Sequence, residues 1–346
     1  VVMVLSASYA RAYYSDATGH NAAYYFLRQL GFAAAGTVIM FALSRLPMGF
    51  YRRMSFPALA ASLVLLALVP LIGVAEGDAR RWIDLGFTTF QPSETAKAAI
   101  ILYFSALICR RGASMGTLRG LLPFIGVLAL VIVLLVLEPH FSAAVIIIAI
   151  GGAMLFLGGA RLYWFIGVGA AAIAALGAVM LFFPYASGRI STWLDPFANP
   201  GGDGYQIVQS LYSIGSGGLF GLGLGRGRQT YMYLPEEHND FIFAVCCEEL
   251  GFAGACAILL GFAALIVRGY WLALHMRDRF SFLVTAGITT LLAIQVILNA
   301  AVVTNLVPCT GISLPFFSYG GTALLIQLAE MGIVLSASRG IPSWRL

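Results

Sequence analysis

The chain has 346 residues, of which 60% are hydrophobic and only 10% are charged, and its mean hydropathy is +0.90. Soluble globular domains carry roughly 25% charged residues, so this composition excludes a soluble domain and indicates a polytopic membrane protein. The net charge of +5 is explained by arginines in the loops between apolar segments, and it does not indicate nucleic-acid binding.

Apolar segments of about 20 residues, the length of a membrane-spanning helix, follow one another along the chain. The first residues, Val1–Ser8, are apolar but too few to span, and because no initiator Met precedes them we interpret them as the second half of a truncated helix. The further predicted spans are Ala23–Ser44, Pro57–Ala75, Pro92–Ile108, Leu121–Leu137, Ser142–Leu157, Leu162–Phe183, Phe241–Val267, Phe280–Val303 and Gly321–Ser338. The predicted fold is an all-α integral membrane protein of about ten transmembrane helices, one polytopic domain over residues 1–346.

The basic residues set the predicted orientation. Arginines such as Arg52, Arg110 and Arg277 fall in loops on one side of the membrane, whereas most acidic residues fall on the other side. The positive-inside rule makes the arginine-rich side cytoplasmic, so the large loop of residues 184–240, before the eighth helix, is extracytoplasmic. Chemistry on that outer face excludes a nucleotide as the expected co-substrate.

Two of the predicted spans carry two charged residues each. Glu94 and Lys97 follow Pro92 three residues apart, so they share one face of a helix. Such residues face protein or a water-filled cavity, so the pair either fixes helix packing or contributes to a substrate cavity. Glu248 and Glu249 also lie at membrane depth, and at least one of them needs a partner, for which Lys97 is a candidate.

The outer loop contains a predicted amphipathic helix, Gln206–Ile214, followed by a glycine-rich segment, residues 215–228. Glycines let the backbone approach a ligand closely, and Arg226 and Arg228 could bind a phosphate group. The alternative is a tight structural connection, because the segment lacks the strand-to-helix context of a nucleotide-binding loop.

Asp240 lies where this polar loop meets the apolar span Phe241–Val267, beside His238 and two glutamates. A carboxylate at the mouth of a membrane helix is placed to act as a base on a membrane-embedded substrate. It could equally cap the helix, since the helix dipole favours negative charge at an N-terminus. A second outer segment, residues 308–321, carries prolines, glycines and Ser318, so it cannot form one continuous helix.

Segments spread over nearly the whole chain carry a resemblance to a known family: Trp82–Gly86, Gln91–Lys97, Gly204–Gly225, Leu234–Glu249 and Thr310–Gly321. In this order they resemble the SEDS family (shape, elongation, division and sporulation), whose members include RodA, FtsW and SpoVE. Three features, Leu137–Ser142, the pair Arg228–Gln229 and Tyr233–His238, are more similar to the FtsW/SpoVE branch than to RodA.

The resemblance implies a ten-helix peptidoglycan glycosyltransferase of the bacterial cytoplasmic membrane. Such an enzyme polymerises lipid II on the outer face, surrounded by membrane lipids, and works with a class B penicillin-binding protein. Asp240 would be its essential acidic residue and a candidate ligand for a divalent cation, Mg²⁺ or Mn²⁺; no nucleotide cofactor is expected. The residues that we expect to bind substrate are Glu94, Lys97, Arg226, Arg228, His238 and Ser318.

Two other functions stay open on the residues themselves. A transporter that passes lipid II across the membrane would also need charges at membrane depth and broken helices, although the richest motifs lie on one face. A scaffold that recruits the penicillin-binding protein through an outer helix face would leave the buried charges unexplained. Polymerisation that depends on Asp240 separates the enzyme from both.

Overall fold

The computed structural model describes residues 1–76, 79–86, 88–167 and 191–341, and these are mostly helical. The α-helices are α1 (Val2–Tyr14), α2 (Tyr24–Ser44), α3 (Met48–Ile72), α4 (Pro92–Arg111), α5 (Leu118–Leu137), α6 (Phe141–Leu157), α7 (Tyr205–Ser216), α8 (Ile242–Leu274), α9 (Arg279–Val303) and α10 (Gly321–Ser338). Short 3₁₀ helices lie at Asp16–Thr18, Gly112–Gly116 and Pro196–Ala198. Most of the predicted span Leu162–Phe183 lies outside the described residues.

In the part of the chain that the structure describes, six helices are long and apolar enough to cross a membrane: α2, α3, α5, α8, α9 and α10. They have between 18 and 33 residues. An α-helix of about 20 residues is long enough to cross the hydrocarbon core of a membrane. The helix α6 is a shorter apolar helix, and α4 carries buried charges. The protein is therefore a helical multi-pass membrane protein, as predicted.

The start of α3 differs from the prediction. The helix begins at Met48, so Pro57, the predicted first residue, lies inside it. A proline is tolerated within a membrane helix, where neighbouring groups satisfy the freed carbonyl. Arg52 and Arg53 continue the helix beyond the apolar stretch, since long arginine side chains can extend from an apolar surface toward water.

A small antiparallel sheet, absent from the all-α prediction, lies between α3 and α4 in the chain. Its strands β1 (Val74–Glu76), β2 (Ala79–Asp84) and β3 (Thr89–Phe90) pair in the order β1-β2-β3. Ile83 of β2 is paired with Phe90 of β3. Strands this short offer too few alternating positions for a periodic pattern to stand out in the sequence.

The chain forms two compact units. The first unit comprises Val1–Gly31, Ile166–Ala263 and Gln295–Gly320, and the second comprises Phe32–Phe165, Ala264–Ile294 and Gly321–Leu346. In the first unit, α7 is tied to α8 by Ser213 Oγ, which donates to the Ala244 carbonyl at 3.0 Å. It is tied to α9 by Ser210 Oγ, which donates to the Val303 carbonyl at 2.8 Å. In the second unit, α4 packs against both α3 and α6.

Candidate active site

The helix α8 is interrupted at Gly251, whose backbone has φ 70° and ψ −172°. The interruption frees two carbonyls and two N–H groups that an unbroken helix would pair with one another. The glycine-rich segment supplies partners for all of them. These hydrogen bonds run from Leu222 N–H to Glu248 O, Gly223 N–H to Glu249 O, Phe252 N–H to Gly218 O and Ala253 N–H to Leu219 O, at 2.8 to 3.0 Å.

This close approach of two backbones explains why glycine occupies two positions of the segment. A Cβ atom at Gly221 would collide with the Glu249 carbonyl, and one at Gly217 would collide with the Cys247 carbonyl. Gly221 also has φ 79°, in the left-handed region that favours glycine. The backbone of the segment therefore has a structural role, and phosphate binding by Arg226 and Arg228 stays a prediction.

The carboxylates of Glu248 and Glu249 find partners within the first unit. Glu248 Oε1 accepts from the N–H of Arg228 at 2.8 Å, and its carboxylate also accepts from Ser213 at 3.4 Å. Glu249 Oε2 accepts from Ser6 of α1 at 2.6 Å. Both acids thus anchor the glycine-rich segment and α1 to the interrupted helix, and neither role depends on Lys97.

Lys97 instead pairs with Glu94, as the spacing of the two residues predicted. Lys97 Nζ lies 2.7 Å from Glu94 Oε1, and only 2% and 8% of the two residues are exposed. Glu330 of α10 is also buried and interacts electrostatically with both residues. The sequence analysis missed Glu330, although a lone carboxylate in an apolar helix is a signal for a buried polar site.

In the first unit, the acidic segment, residues 235–240, leads into α8. Its last three carbonyls are each held by a group from residues 299–320. These hydrogen bonds run from Tyr319 N–H to His238 O at 2.8 Å, from Ser318 Oγ to Asn239 O at 2.7 Å and from Asn299 Nδ2 to Asp240 O at 2.8 Å. Asn299 Nδ2 also donates to the Ile312 carbonyl at 2.7 Å. The backbone that carries Asp240 is therefore fixed against the 308–321 segment.

The Asp240 side chain is half-buried. Its Oδ2 atom lies 2.8 Å from the position that a Cβ would take on Gly311, so glycine makes room for the carboxylate there. The helix α8 begins at Ile242, and the Phe241 carbonyl accepts the first helical hydrogen bond, from Ala244 N–H at 2.9 Å. Phe241 thus occupies the capping position, and Asp240 precedes it.

The side chains of the acidic segment meet α1 and α2. Glu237 is fully buried and accepts two hydrogen bonds from Arg11, each 2.7 Å long. Burial alone would raise the pKa of Glu237, but nearby His238 and Arg11 outweigh burial and lower it. The His238 ring lies between Tyr25 and Tyr319, with ring centroids 4.9 and 5.6 Å away. The sequence analysis missed Arg11, a basic residue that closely follows the apolar stretch Val1–Ser8.

The predicted site residues divide between the two units. The structure brings together Asp240, His238 and Ser318 in the first unit, which also contains Arg226 and Arg228 with exposed side chains. Glu94 and Lys97 belong to the second unit. Within the described ranges, no group of three or more His, Cys, Asp or Glu residues is arranged to hold a metal ion.

The chain matches the family model of the cell cycle proteins FtsW, RodA and SpoVE over residues 1–341. It is 41% identical over 344 residues to a probable peptidoglycan glycosyltransferase FtsW of Trichlorobacter lovleyi, which covers 99% of this chain and 90% of the relative. It is 37% identical over 342 residues to stage V sporulation protein E of Bacillus subtilis, covering 98% and 93% of the two chains.

Solved structures share the fold. A chain from a peptidoglycan synthase complex that coordinates polymerization and crosslinking superposes with a TM-score of 0.82 and 28% identity, over 99% of this chain and 97% of the other. The rod shape determining protein RodA of Thermus thermophilus superposes with a TM-score of 0.69 and 27% identity, over 98% and 93% of the two chains.

Proposed function

This chain belongs to the family of FtsW, RodA and SpoVE and is a peptidoglycan glycosyltransferase, and we propose that Asp240 is its catalytic base. One observation carries the proposal. The backbone carbonyls of His238, Asn239 and Asp240 each accept a hydrogen bond. The Asp240 side chain is half-buried and lies beside Gly311. An anchored backbone and a side chain that is not fully buried are what general-base catalysis requires.

The reaction proposed for Asp240 extends a glycan strand from lipid II. A sugar hydroxyl attacks the anomeric carbon of a second sugar, which carries a lipid pyrophosphate. As the new C–O bond forms, the hydroxyl proton passes to the Asp240 carboxylate. The bond between the anomeric carbon and the pyrophosphate oxygen breaks, and its electron pair leaves with the lipid pyrophosphate. One base suffices for inversion at this carbon, and no covalent enzyme intermediate is needed.

Cationic groups would stabilise the leaving pyrophosphate. Arg226 and Arg228 are exposed and can turn toward a phosphate, whereas Lys97 is engaged with Glu94. Mg²⁺ is typically held by one or two carboxylates together with substrate phosphates, so the half-buried Asp240 fits a Mg²⁺ or Mn²⁺ ion without a dedicated cluster of ligands. When bound there, the ion would neutralise negative charge on the pyrophosphate.

His238 and Ser318 were predicted to bind substrate, and their contacts support a different role. Ser318 Oγ accepts from Leu314 N–H and donates to the Asn239 carbonyl, both at 2.7 Å, and His238 is buried between two tyrosine rings. Both residues thus hold the acidic segment in place.

We also propose that the enzyme acts on the outer face of the bacterial cytoplasmic membrane, together with a class B penicillin-binding protein. The asymmetric distribution of arginines supports the orientation. The similarity to a chain of a synthase complex that couples polymerization to crosslinking supports the partner.

The test is polymerisation of labelled lipid II with Mg²⁺ by the purified protein, alone and with a transpeptidase-inactive partner. Asp240→Asn should lower the rate by about 10² to 10⁴, because it removes the base. Asp203→Asn is the matched control, since it neutralises an exposed carboxylate of the same outer loop. Glycan ladders of equal intensity from folded wild type and Asp240→Asn would exclude Asp240 as the base. Ladders absent from wild type under both conditions would favour a transporter.

A further inference from the structure

We propose that Arg11 and Glu237 form a positioning pair that fixes the acidic segment and thereby orients Asp240, an inference that rests on the proposed role of Asp240. Arg11 Nε donates to Glu237 Oε1 and Arg11 Nη2 donates to Oε2, each at 2.7 Å. A planar guanidinium that meets both carboxylate oxygens fixes the direction of the carboxylate as well as its distance. The first helix is thereby connected to the segment that carries the base.

Because Glu237 is buried, the ion pair is not explained by its contribution to stability alone. The Glu237 side chain is fully buried, whereas 33% of the Arg11 side chain is exposed. Removing a carboxylate from water costs free energy that offsets most of the attraction within an ion pair, so apolar residues could stabilise the fold as well. A buried pair can instead specify one conformation of the chain among several, and here the conformation concerned ends at Asp240.

That conformation is a tight turn over residues 236–241. Glu236 has φ 55°, a left-handed conformation that costs free energy for a residue other than glycine. The Glu236 carbonyl accepts from Asn239 N–H at 3.1 Å and from Phe241 N–H at 3.3 Å. Glu237 is the second residue of this closed turn, so a displacement of its carboxylate would turn the backbone that leads to Asp240.

The contacts of Glu237 complement those on the carbonyls. Tyr319 N–H, Ser318 and Asn299 hold backbone oxygens of the acidic segment from the side of residues 299–320. Arg11 holds the segment by a side chain, and the Tyr25 ring contacts His238 beside it. Burial raises the pKa of Glu237, but His238 and Arg11 together lower it, so the carboxylate keeps its charge at neutral pH and both hydrogen bonds from Arg11 persist. The acidic segment is thus held by two sets of contacts: hydrogen bonds to its carbonyls and the charged contact from Arg11.

The test compares kcat and KM for lipid II polymerisation by the full chain with its partner. Glu237→Gln and Arg11→Gln should each lower kcat by about 10- to 100-fold while KM changes less than about twofold, because a misplaced catalytic group loses rate on this scale. Arg11→Lys, which keeps the charge and loses the fork, should give an intermediate kcat. Asp16→Asn is the control, since it disrupts an exposed contact with His20 of 3.2 Å and should leave kcat unchanged.

Rates are expressed per folded molecule, from the monodisperse fraction and a thermal melt, so that loss of fold cannot imitate loss of rate. Wild-type kcat per folded molecule in Glu237→Gln and Arg11→Gln, with lower melting temperatures, would show a merely structural pair and overturn the inference. If Glu237→Gln does not fold, Arg11→Lys decides: a reduced kcat supports positioning, and a wild-type kcat overturns it. Asp240→Asn is measured in parallel. Its inactivity beside a fully active Glu237→Gln overturns only the positioning pair, whereas an active Asp240→Asn overturns the proposed function.

Discussion

The acidic segment and the glycine-rich segment of the first unit are held in opposite ways. The acidic segment has its carbonyls held by groups from residues 299–320, and it leaves the Asp240 carboxylate half-buried. The glycine-rich segment uses its own backbone to complete the interrupted helix α8. The backbone of the glycine-rich segment therefore stabilises the fold, whereas the short polar turn carries the candidate base.

This difference separates the expected consequences of substitution. Changes that disturb the glycine-rich backbone should reduce the free energy of unfolding, because they break hydrogen bonds of a membrane helix. Changes around the acidic segment should reduce the rate of polymerisation in protein that is still folded. A wild-type rate in folded protein after a change around the acidic segment would contradict the comparison.

The largest effect on stability is expected for Gly221→Ala. The new Cβ would collide with the Glu249 carbonyl, and the residue would have to keep φ 79°, so we expect a loss of about 3 kcal/mol in the free energy of unfolding. A thermal melt in detergent measures it. Gly215→Ala is the matched control, since a Cβ there meets no atom within 4 Å. Equal melting temperatures for the two variants would contradict the structural role of the segment.

Asn299→Ala should lower the polymerisation rate about tenfold or more, because it removes the donor that holds the Asp240 and Ile312 carbonyls. Leaving buried carbonyls without a donor should also cost about 1 to 3 kcal/mol of stability. Initial rates per folded molecule separate the two effects. Thr304→Ala changes an exposed side chain just after α9 and should behave like wild type. A wild-type rate in folded Asn299→Ala would show that Asp240 needs no such anchoring.

The ion pair between Arg11 and Glu237 should make stability depend on acid pH. The pKa of Glu237 is lowered from its ordinary 4.5 in the folded protein, so its contribution is present above that value and is lost as the pH falls through the lowered pKa. Melting temperatures of wild type and Glu237→Gln should therefore differ most near neutral pH and converge under acid conditions. A difference that stays constant down to acid pH would contradict an ionised Glu237.

The smallest effect is expected at the exposed arginines of the glycine-rich segment. Arg226→Gln and Arg228→Gln should change the free energy of unfolding by less than about 0.5 kcal/mol, since both side chains lie on the surface. If they bind the pyrophosphate, KM for lipid II should rise a few-fold, and the increase should shrink at high salt, where charges are screened. An unchanged KM at low salt would leave the segment with a structural role alone.

The sequence predicted those features that depend on neighbouring residues. The bounds of α10 agree with the predicted span Gly321–Ser338, because apolar runs between polar loops define a membrane helix locally. Glu94 and Lys97 were paired correctly since they are one helical turn apart. The helix α3 begins at Met48, before the predicted span Pro57–Ala75, because the arginines near its start lie outside the apolar run that marks a span.

The partners of the acidic segment could not be predicted in the same way. Arg11 and Glu237 are 226 positions apart, and Asn299 and Asp240 are 59 apart, so only the tertiary fold brings them together. Each of these residues looks ordinary in its own segment: a basic residue after a short apolar stretch, or an amide near the end of a helix. Asp240 could be proposed from the sequence because its own neighbours, a polar loop and an apolar helix, define its place in the chain.

The most direct test of Asp240 as the base is the pH dependence of the single-turnover rate of lipid II polymerisation, measured for wild type and Asp240→Asn with the partner present. A base must be ionised to accept a proton, so the wild-type rate should fall as the pH is lowered. The residual rate of Asp240→Asn should be much lower and should not show that fall. The same acid-dependent profile in both proteins, at comparable rates, would contradict Asp240 as the group that takes the proton.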